Sequence, residues 1–517
     1  MIIDSLHNPL VLWGLAVILT CIIAAAFLET IYPGILPKPL IGALSDVINI
    51  YLNLRHPIKS TNGKTDLPTC PYRWPNGQGD IGKFLEGIEN SVVWEKTHGS
   101  VYRIWSGFNS EVVLTRPSQL QTVFQDSDRH VKALNNNSGW LMGQLLGNCV
   151  GLISPPSWQK VRAITEVPFR HQTAMAKIED IQQYTRKHLD DLHQTSDLSR
   201  GLIHPAKDLK TLPFWIVAFF FYGPLPLNMI DELKRLAPLR EELMKHVIQG
   251  GIARFDFSQY LPTQANRALQ EFKERWQQFN REAVNYARRN GQKASKDAAI
   301  VQMFEKVEQG ELSEDQLLQT LDEALYANLD VTTGGLSWNL VFLAAYPECQ
   351  ERLREEVQSA TGDDSAMENY LRAQSTYLQA CILESSRLKP LAAFSVPQSA
   401  PTARVVDGFL IPANTNFVVD TYALNIRDKY WGPDNDTYRP ERFLGRKNVD
   451  LRYLFWRFGF GPRQCMGKYV ADAIIRVTLA YLVQNYNLSL LGDQDWVRDR
   501  DCWITHPDFQ IRCEKRS

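Results

Sequence analysis

No two cysteines in this sequence are spaced as C-x-x-C. The eight that are present, Cys21, Cys70, Cys149, Cys349, Cys381, Cys465, Cys502 and Cys513, are scattered through 517 residues. That argues against a zinc site and against a thioredoxin-type redox motif. Scatter of this kind fits reduced thiols in a cytosol-facing protein better than a disulfide framework. An excess of charge is also missing: 56 Lys and Arg stand against 57 Asp and Glu, a net charge of -1, which gives nucleic acid no electrostatic footprint. There is no long Gly/Ser or Pro-rich linker inside the body of the chain and no internal repeat. Length alone suggests about three domains at roughly 150 residues each. With no linker to separate them, one large domain is the better reading, and 44% hydrophobic content is ample for its core.

Long uncharged runs are rare, and the longest is at the N-terminus. Pro9 to Leu28 reads PLVLWGLAVILTCIIAAAFL, without a charge and about as long as a bilayer-spanning helix. The first eight residues hold Asp4 but no Lys or Arg, whereas Lys38, Arg55, Lys59 and Lys64 follow the span. The positive-inside rule then puts the body of the protein in the cytosol. A cleaved signal peptide would want a basic start and a shorter apolar core. Prolines 33, 37, 39, 68, 71 and 75 read as stiff connectors. The expected organisation is an anchor over residues 1–31, a Pro-rich hinge over 32–75 and a single catalytic domain over 76–517. The sequons at Asn136, Asn435 and Asn487 would then never meet the secretory lumen. The apolar run Pro213 to Gly223 is too short to span and reads as a buried core helix.

In the body, His98 to Pro117 alternates apolar and polar residues around Gly-Phe-Asn, which predicts a β-hairpin. Trp158 to Gly362 is mainly helical in pattern. One long helix is expected from Ser313, where SEDQ resembles a capping box, to Tyr346, with Pro347 as its stop and Leu317, Leu321 and Leu325 as its apolar stripe. Strands are expected near Phe394 to Val396 and Gly408 to Val419. A last helix after Cys465 would bury Val470, Ile474, Ile475, Leu479 and Leu482. The class is mainly α with a minor β part.

The chemistry gathers at FGFGPRQCMG, Phe458 to Gly467. A lone cysteine is usually a small buried hydrophobe, but these neighbours are unusual. Gly459 and Gly461 let the backbone fold close to another group. Gly467 lets a large flat group lie against the next helix start, and Arg463 offers a cation near the sulfur. A helix N-terminus and a cation both stabilise a thiolate. Such a thiolate suits the metal of a large planar cofactor with acidic side groups, which describes heme. GFGPRQ begins like a dinucleotide fingerprint, but Gln464 stands at the third glycine and no Rossmann unit surrounds it.

The same stretch resembles the heme-binding signature F-x-x-G-x-R-x-C-x-G of the cytochromes P-450 at Phe458, Gly461, Arg463, Cys465 and Gly467. Three further segments resemble the family in the right order. ESSR, Glu384 to Arg387, looks like its E-x-x-R. PERF, Pro440 to Phe443, looks like the segment whose Arg442 completes an ionic triad with Glu384 and Arg387. WQKVR looks like its W-x-x-x-R, Trp158 and Arg162. The resemblance covers nearly the whole chain after the anchor, and its style is similar to filamentous-fungal enzymes of secondary metabolism. It implies the cytochrome P-450 fold, with a long central helix over heme b (iron protoporphyrin IX) and one transmembrane helix ahead of it. Cys465 would bind the iron, Phe458 would shield the sulfur, and Arg463, Trp158 and Arg162 would face heme propionates. It also implies an NADPH-dependent reductase as electron donor and a single-pass endoplasmic reticulum protein facing the cytosol. Arg442, Arg446, Lys447, Arg452, Arg457 and Lys468 offer a basic docking face, or merely a solvated surface.

Two departures from the family pattern stand out. In YANLDVTTGG, Asn328 replaces a usual glycine. Asp330 holds the acid position, and Val331 stands where a threonine normally helps protonate bound oxygen. Thr332 comes one residue later, turned by about 100° on a regular helix. Three readings follow: Thr332 reaches in through a local bulge, the substrate or a water supplies the proton path, or the reaction needs no relay. Asp330 and Thr332 are the catalytic candidates. The second departure is that no propionate-binding Arg or His follows ESSR before Arg404. By resemblance, substrate contacts fall in Asn135 to Val150, near Tyr326 and Asp330, in Leu391 to Val396 and in Trp503 to Thr505. Trp140, Leu141, Ala392, Phe394 and Trp503 suggest an apolar, aromatic cavity for a hydrophobic natural product, a cyclic dipeptide or similar alkaloid. Oxygen insertion is the leading expectation. Oxidative coupling, ring closure or rearrangement by the same cofactor is the alternative, and a non-enzymatic heme sensor is a third.

Overall fold

The structure is a computed structural model that describes residues 9–32, 34–289, 298–362, 364–447, 449–492 and 496–516. Helix α1 runs Pro9–Ile31. Among the described residues no helix is long and apolar enough to cross a membrane. The side chains at positions 9–12, 14–16 and 18–19 lie outside that description, so much of the expected anchor does too. The segment expected as a hinge contains a second helix, α2 (Lys38–Arg55), with Pro39 in its first turn. Helix α2 rests on the body through Leu52, which is buried with Tyr72 and Trp105.

The expected hairpin is present as β1 (Val101–Ser106) and β2 (Asn109–Leu114). It turns at Gly107, where a φ of +56° suits glycine. Two short strands, β3 (Val131–Lys132) and β4 (Gln398–Ser399), and the strand β5 (Asn416–Val419) complete a five-stranded sheet in the order β1-β2-β5-β4-β3. Strands β2 and β5 pair in parallel with Val113 opposite Val418, and the hairpin itself is antiparallel with Tyr102 opposite Val113. The strand expected at Phe394 to Val396 is reduced to one bridge, Phe394 to Asp420. The chain there is pinned by the Ser395 hydroxyl, which accepts from Val419 N–H, and regular pairing resumes only at β4.

Helices build the rest. Helix α3 (Ser157–Thr165) carries Trp158 and Arg162. Helix α4 (Thr211–Tyr222) is the apolar run, and Phe214, Ile216, Val217, Phe220 and Phe221 are all buried. An uncharged helix of this length is stable only when surrounded by apolar neighbours. It packs on the long helix, which differs from the expected single rod. That helix starts at a true capping box, with Ser313 Oγ accepting from Gln316 N–H and Gln316 Oε1 accepting from Ser313 N–H, both at 3.1 Å. It then divides into α5 (Glu314–Ala327), a π-helical turn Asn328–Thr332, and α6 (Thr333–Ala345). Helix α7 (Tyr377–Leu388) bears ESSR, and α8 (Lys468–Asn485) follows the cysteine loop. Val470, Ile474, Ile475, Leu479 and Leu482 of α8 face the core as expected.

Candidate active site

The cysteine loop folds back on itself before α8 begins. Cys465 N–H donates to the Phe458 carbonyl at 2.8 Å, and Gln464 N–H to that of Gly461 at 3.1 Å. Gly461 has a φ of +68°, and a Cβ there would come within 2.1 Å of Ser127 Oγ. Only glycine serves at that point. The Cys465 side chain has open surface, yet it lies deep enough that burial pushes its thiol pKa up. Its open surface lines a cleft shared with Arg162, Gln464 and Lys468. The Gly467 amide, Arg162 and Lys468 pull the thiol pKa down, and Glu323 adds to the rise. The cations acting on the sulfur are therefore Arg162 and Lys468. Arg463, expected in that role, points elsewhere.

Arg463 lies 4.6 Å from the Trp158 ring and donates from Nη2 to the Ile153 carbonyl at 2.7 Å. Its Nε and Nη1 are buried and, among the described residues, meet no partner. Burial and the neighbouring Arg162 lower its pKa to about 10. Arg162 itself reaches the Gln464 carbonyl at 3.0 Å and Glu166 at 2.8 Å. A further cation belongs to this group. Lys132, at the end of β3, has its pKa lowered to about 8 by burial and by Arg463. Sequence reasoning missed it, and the only signal was a lysine in a short strand ahead of the Asn135 to Val150 loop. Orphaned buried donors are costly, and two of them beside two further cations want an acidic ligand. The residues fit a planar metal cofactor with carboxylate side groups.

The long helix carries the residues expected on the oxygen side. A π-turn inserts one residue into the helical count, and here it spans the departure from the family pattern. Thr332 donates to Asn328 Oδ1 at 2.7 Å, while Asn328 Nδ2 donates to the Ala324 carbonyl at 2.5 Å. Gly335 faces Ile475 of α8 and Leu391. Val331 and Thr332, four and three residues before it, share that face. Thr333 is turned away and donates to the Asn328 and Lys210 carbonyls at 3.0 and 3.3 Å. Asp330 accepts from Trp503 Nε1 at 3.0 Å.

Some expected pocket residues belong to the core instead. Tyr326 sits among Phe214, Phe272 and Trp276, with ring centres 5.5–5.9 Å away. Phe394 is fully buried against Trp94. Trp503 meets Phe84 edge-on at 6.1 Å. The ionic triad is formed as expected. Arg387 makes two 2.8 Å contacts to Glu384, and Arg442 Nε reaches Glu384 at 3.2 Å. Arg442 is thereby withdrawn from the expected basic docking face. Arg457 is withdrawn too, paired with Asp472 at 2.5 Å and lying 4.4 Å from the Phe458 ring. A cleft of about 420 Å³ reaches Cys465 from the surface and is lined by Arg170, His171, Lys468 and Tyr469 among others.

A glycine-bent cysteine loop before α8, a distorted long helix and the formed ionic triad together match the arrangement of a heme-thiolate enzyme. Residues 83–509 match the family model of cytochrome P450, and the chain belongs to that family. It is an oxidoreductase of the monooxygenase class, and the family's cofactor is heme b. It is similar to cytochrome P450 monooxygenase aclC of Aspergillus oryzae, at 56% identity over 90% of this chain and 95% of the relative. Cytochrome P450 monooxygenase asaD of Aspergillus flavus is 53% identical over 92% and 91% of the two chains. Cytochrome P450 monooxygenase gliC of Aspergillus fumigatus is 42% identical over 91% and 93%.

Proposed function

We propose that the protein inserts one oxygen atom into a hydrophobic small molecule of fungal secondary metabolism, in particular a cyclic dipeptide or related alkaloid. The observation that carries this reading is the open Cys465 thiol in a loop that also carries Arg463, two of whose buried donors meet no partner among the described residues. Bound heme supplies the activation of O₂ with two electrons and two protons, one oxygen atom going to the substrate and the other to water. Cys465 would hold the iron through its thiolate and supply electron density to it. Arg463, Arg162, Lys132 and Trp158 hold the acidic side groups, Phe458 covers the sulfur, and Gly461 and Gly467 keep the loop close. We assign to Thr332, whose hydroxyl donates to Asn328 Oδ1 within the π-turn, the role of the hydroxyl on the oxygen side, with Val331 on the same face. Asp330, held by Trp503, is the acid of the same turn.

Electrons come from an NADPH-dependent reductase. The surface we assign to its docking is the cleft with Arg170, His171 and Lys468, which leads toward the sulfur. The apolar run Pro9 to Leu28 is proposed as a single-pass anchor in the endoplasmic reticulum membrane, with residues 76–517 as one catalytic domain in the cytosol. Val331 supports a second reading, in which the same site couples, closes or rearranges rings without net oxygen insertion.

The reduced protein with carbon monoxide should give a strongly red-shifted Soret band that Cys465→Ala abolishes. An unshifted band in the wild type would remove the thiolate assignment. Turnover under ¹⁸O₂ then separates the two readings, since label in the product supports insertion and its absence supports coupling or rearrangement.

A further inference from the structure

The C-terminal segment Trp503 to His506 crosses the π-turn and touches one of its residues twice. Trp503 Nε1 donates to Asp330 Oδ2 at 3.0 Å, and His506 Nε2 lies 2.7 Å from the Asp330 carbonyl. A carbonyl can only accept, so the buried His506 ring carries its proton on Nε2. Close approach is possible because residue 334 is glycine: a Cβ there would sit 2.9 Å from His506 Cδ2 and 3.0 Å from Ile504. The segment is fixed from its other side as well. Thr505 N–H donates to the Leu391 carbonyl at 2.9 Å, and the Thr505 carbonyl accepts from Trp338 Nε1 of α6 at 2.9 Å.

A π-turn interrupts the regular backbone ladder, and buried backbone groups left without partners are costly. Side chains from outside the helix are one way to satisfy them. The Asp330 carbonyl also accepts from Thr333 N–H, so His506 adds a second donor to it, and a single short segment grips both the main chain and the side chain of Asp330, inside the turn that brings Thr332 to Asn328. Asp330, Cys502 and His506 also present atoms within 4.8 Å of one another, a ligand-like set. They are already engaged, however: His506 Nε2 on a carbonyl, Asp330 on Trp503, and Lys210 acting electrostatically on both Asp330 and Cys502. That set carries no metal proposal.

We propose that His506 and Trp503 are positioning residues that hold the π-turn in the register placing the Thr332 hydroxyl at the oxygen face. The idea rests on the monooxygenase reading above and adds the wall that enforces it. Such a clamp also joins Trp503, a residue of the expected substrate wall, to the oxygen-side helix.

The test compares His506→Leu, which keeps bulk but lacks the donor, with His506→Gln, whose amide can replace Nε2–H. Trp503→Phe removes the second donor and serves if His506→Leu does not fold. Two readouts need no substrate. One is amide hydrogen exchange of peptides covering residues 327–335 in the heme-loaded protein. The other, with purified reductase, is the fraction of NADPH electrons recovered as hydrogen peroxide, two electrons and two protons per O₂. His506→Leu and Trp503→Phe should speed exchange in that stretch about tenfold and raise the peroxide fraction severalfold, and His506→Gln should restore both toward wild type. Unchanged exchange in His506→Leu and Trp503→Phe would overturn the proposal. So would a His506→Gln variant as loose as His506→Leu, because the donor would then not matter. A wild type without the red-shifted carbon monoxide band would sink the heme-thiolate reading instead, and the exchange comparison would still judge the clamp.

Discussion

Arg463 is the residue whose circumstances say most. Two of its donors are buried without a partner among the described residues, and burial lowers its pKa to about 10. A side chain in that position weakens the empty protein and strengthens the loaded one. Arg463→Leu should therefore raise the melting temperature of heme-free protein while speeding heme loss about tenfold, a difference of ~1.4 kcal/mol. Thermal melts of the heme-free form and heme transfer to an apo-globin acceptor measure the two halves. A fall in both stabilities would mean that the bonds to Ile153 and Trp158 are the main purpose of the residue.

At the scale of elements, the triad joins α7 to the turn Pro440–Phe443. Glu384 is fully buried and faces two guanidinium groups. Glu384→Gln leaves those cations short of charge, and breaking a buried pair costs about 3–5 kcal/mol. Denaturant unfolding should register that loss. An effect below about 1 kcal/mol would mean that the Asp434 carboxylate, 2.8 Å from Arg442, and the carbonyls of Asn425, Asn435 and Trp431, which also accept from Arg387 and Arg442, suffice without the Glu384 charge.

Elements were also where the sequence was easiest to read. The hairpin, the capping box at Ser313, the buried α4 and the apolar face of α8 follow from local periodicity and local hydrogen bonding. The cysteine loop was legible because glycine spacing records a backbone shape. What was not legible depends on contacts between distant segments. Lys132 joins the cation group only because β3 lies beside the cysteine loop's neighbours. Tyr326 is aromatic on a pocket helix, but rotation of α5 turns it into the core. The π-turn was foreseen as one option among three, since a sequence does not state which way a helix will slip. Its grip by His506 required the fold.

Across the whole molecule, buried acids set a pH response. Asp420 is fully buried, accepts from Ser91 Oγ at 2.7 Å and Ala423 N–H at 2.9 Å, and lies 3.5 Å from Arg427, with Glu95 nearby. Burial dominates and raises its pKa to about 6. A raised carboxyl binds its proton more tightly in the folded state than in the unfolded chain, where the value is about 3.9. Its contribution to stability is therefore lowest above pH 6 and grows as the pH falls from about 6 toward 4. Asp420→Asn should flatten that part of the stability profile relative to wild type, as followed by urea unfolding at stepped pH. A parallel profile would mean that Arg427 and Ser91 hold the carboxylate charged.

Cys465 lines a cleft that reaches it from the surface, and it comes from a different stretch of chain than the residues expected on the oxygen side. Thr332 and Cys465 stand 133 positions apart. During synthesis at ~5–20 residues per second, the oxygen-side wall leaves the ribosome on the order of ten seconds before the sulfur-side wall exists. The last piece to emerge is the segment Trp503 to His506, so the oxygen-side turn waits longest for the contacts that grip it.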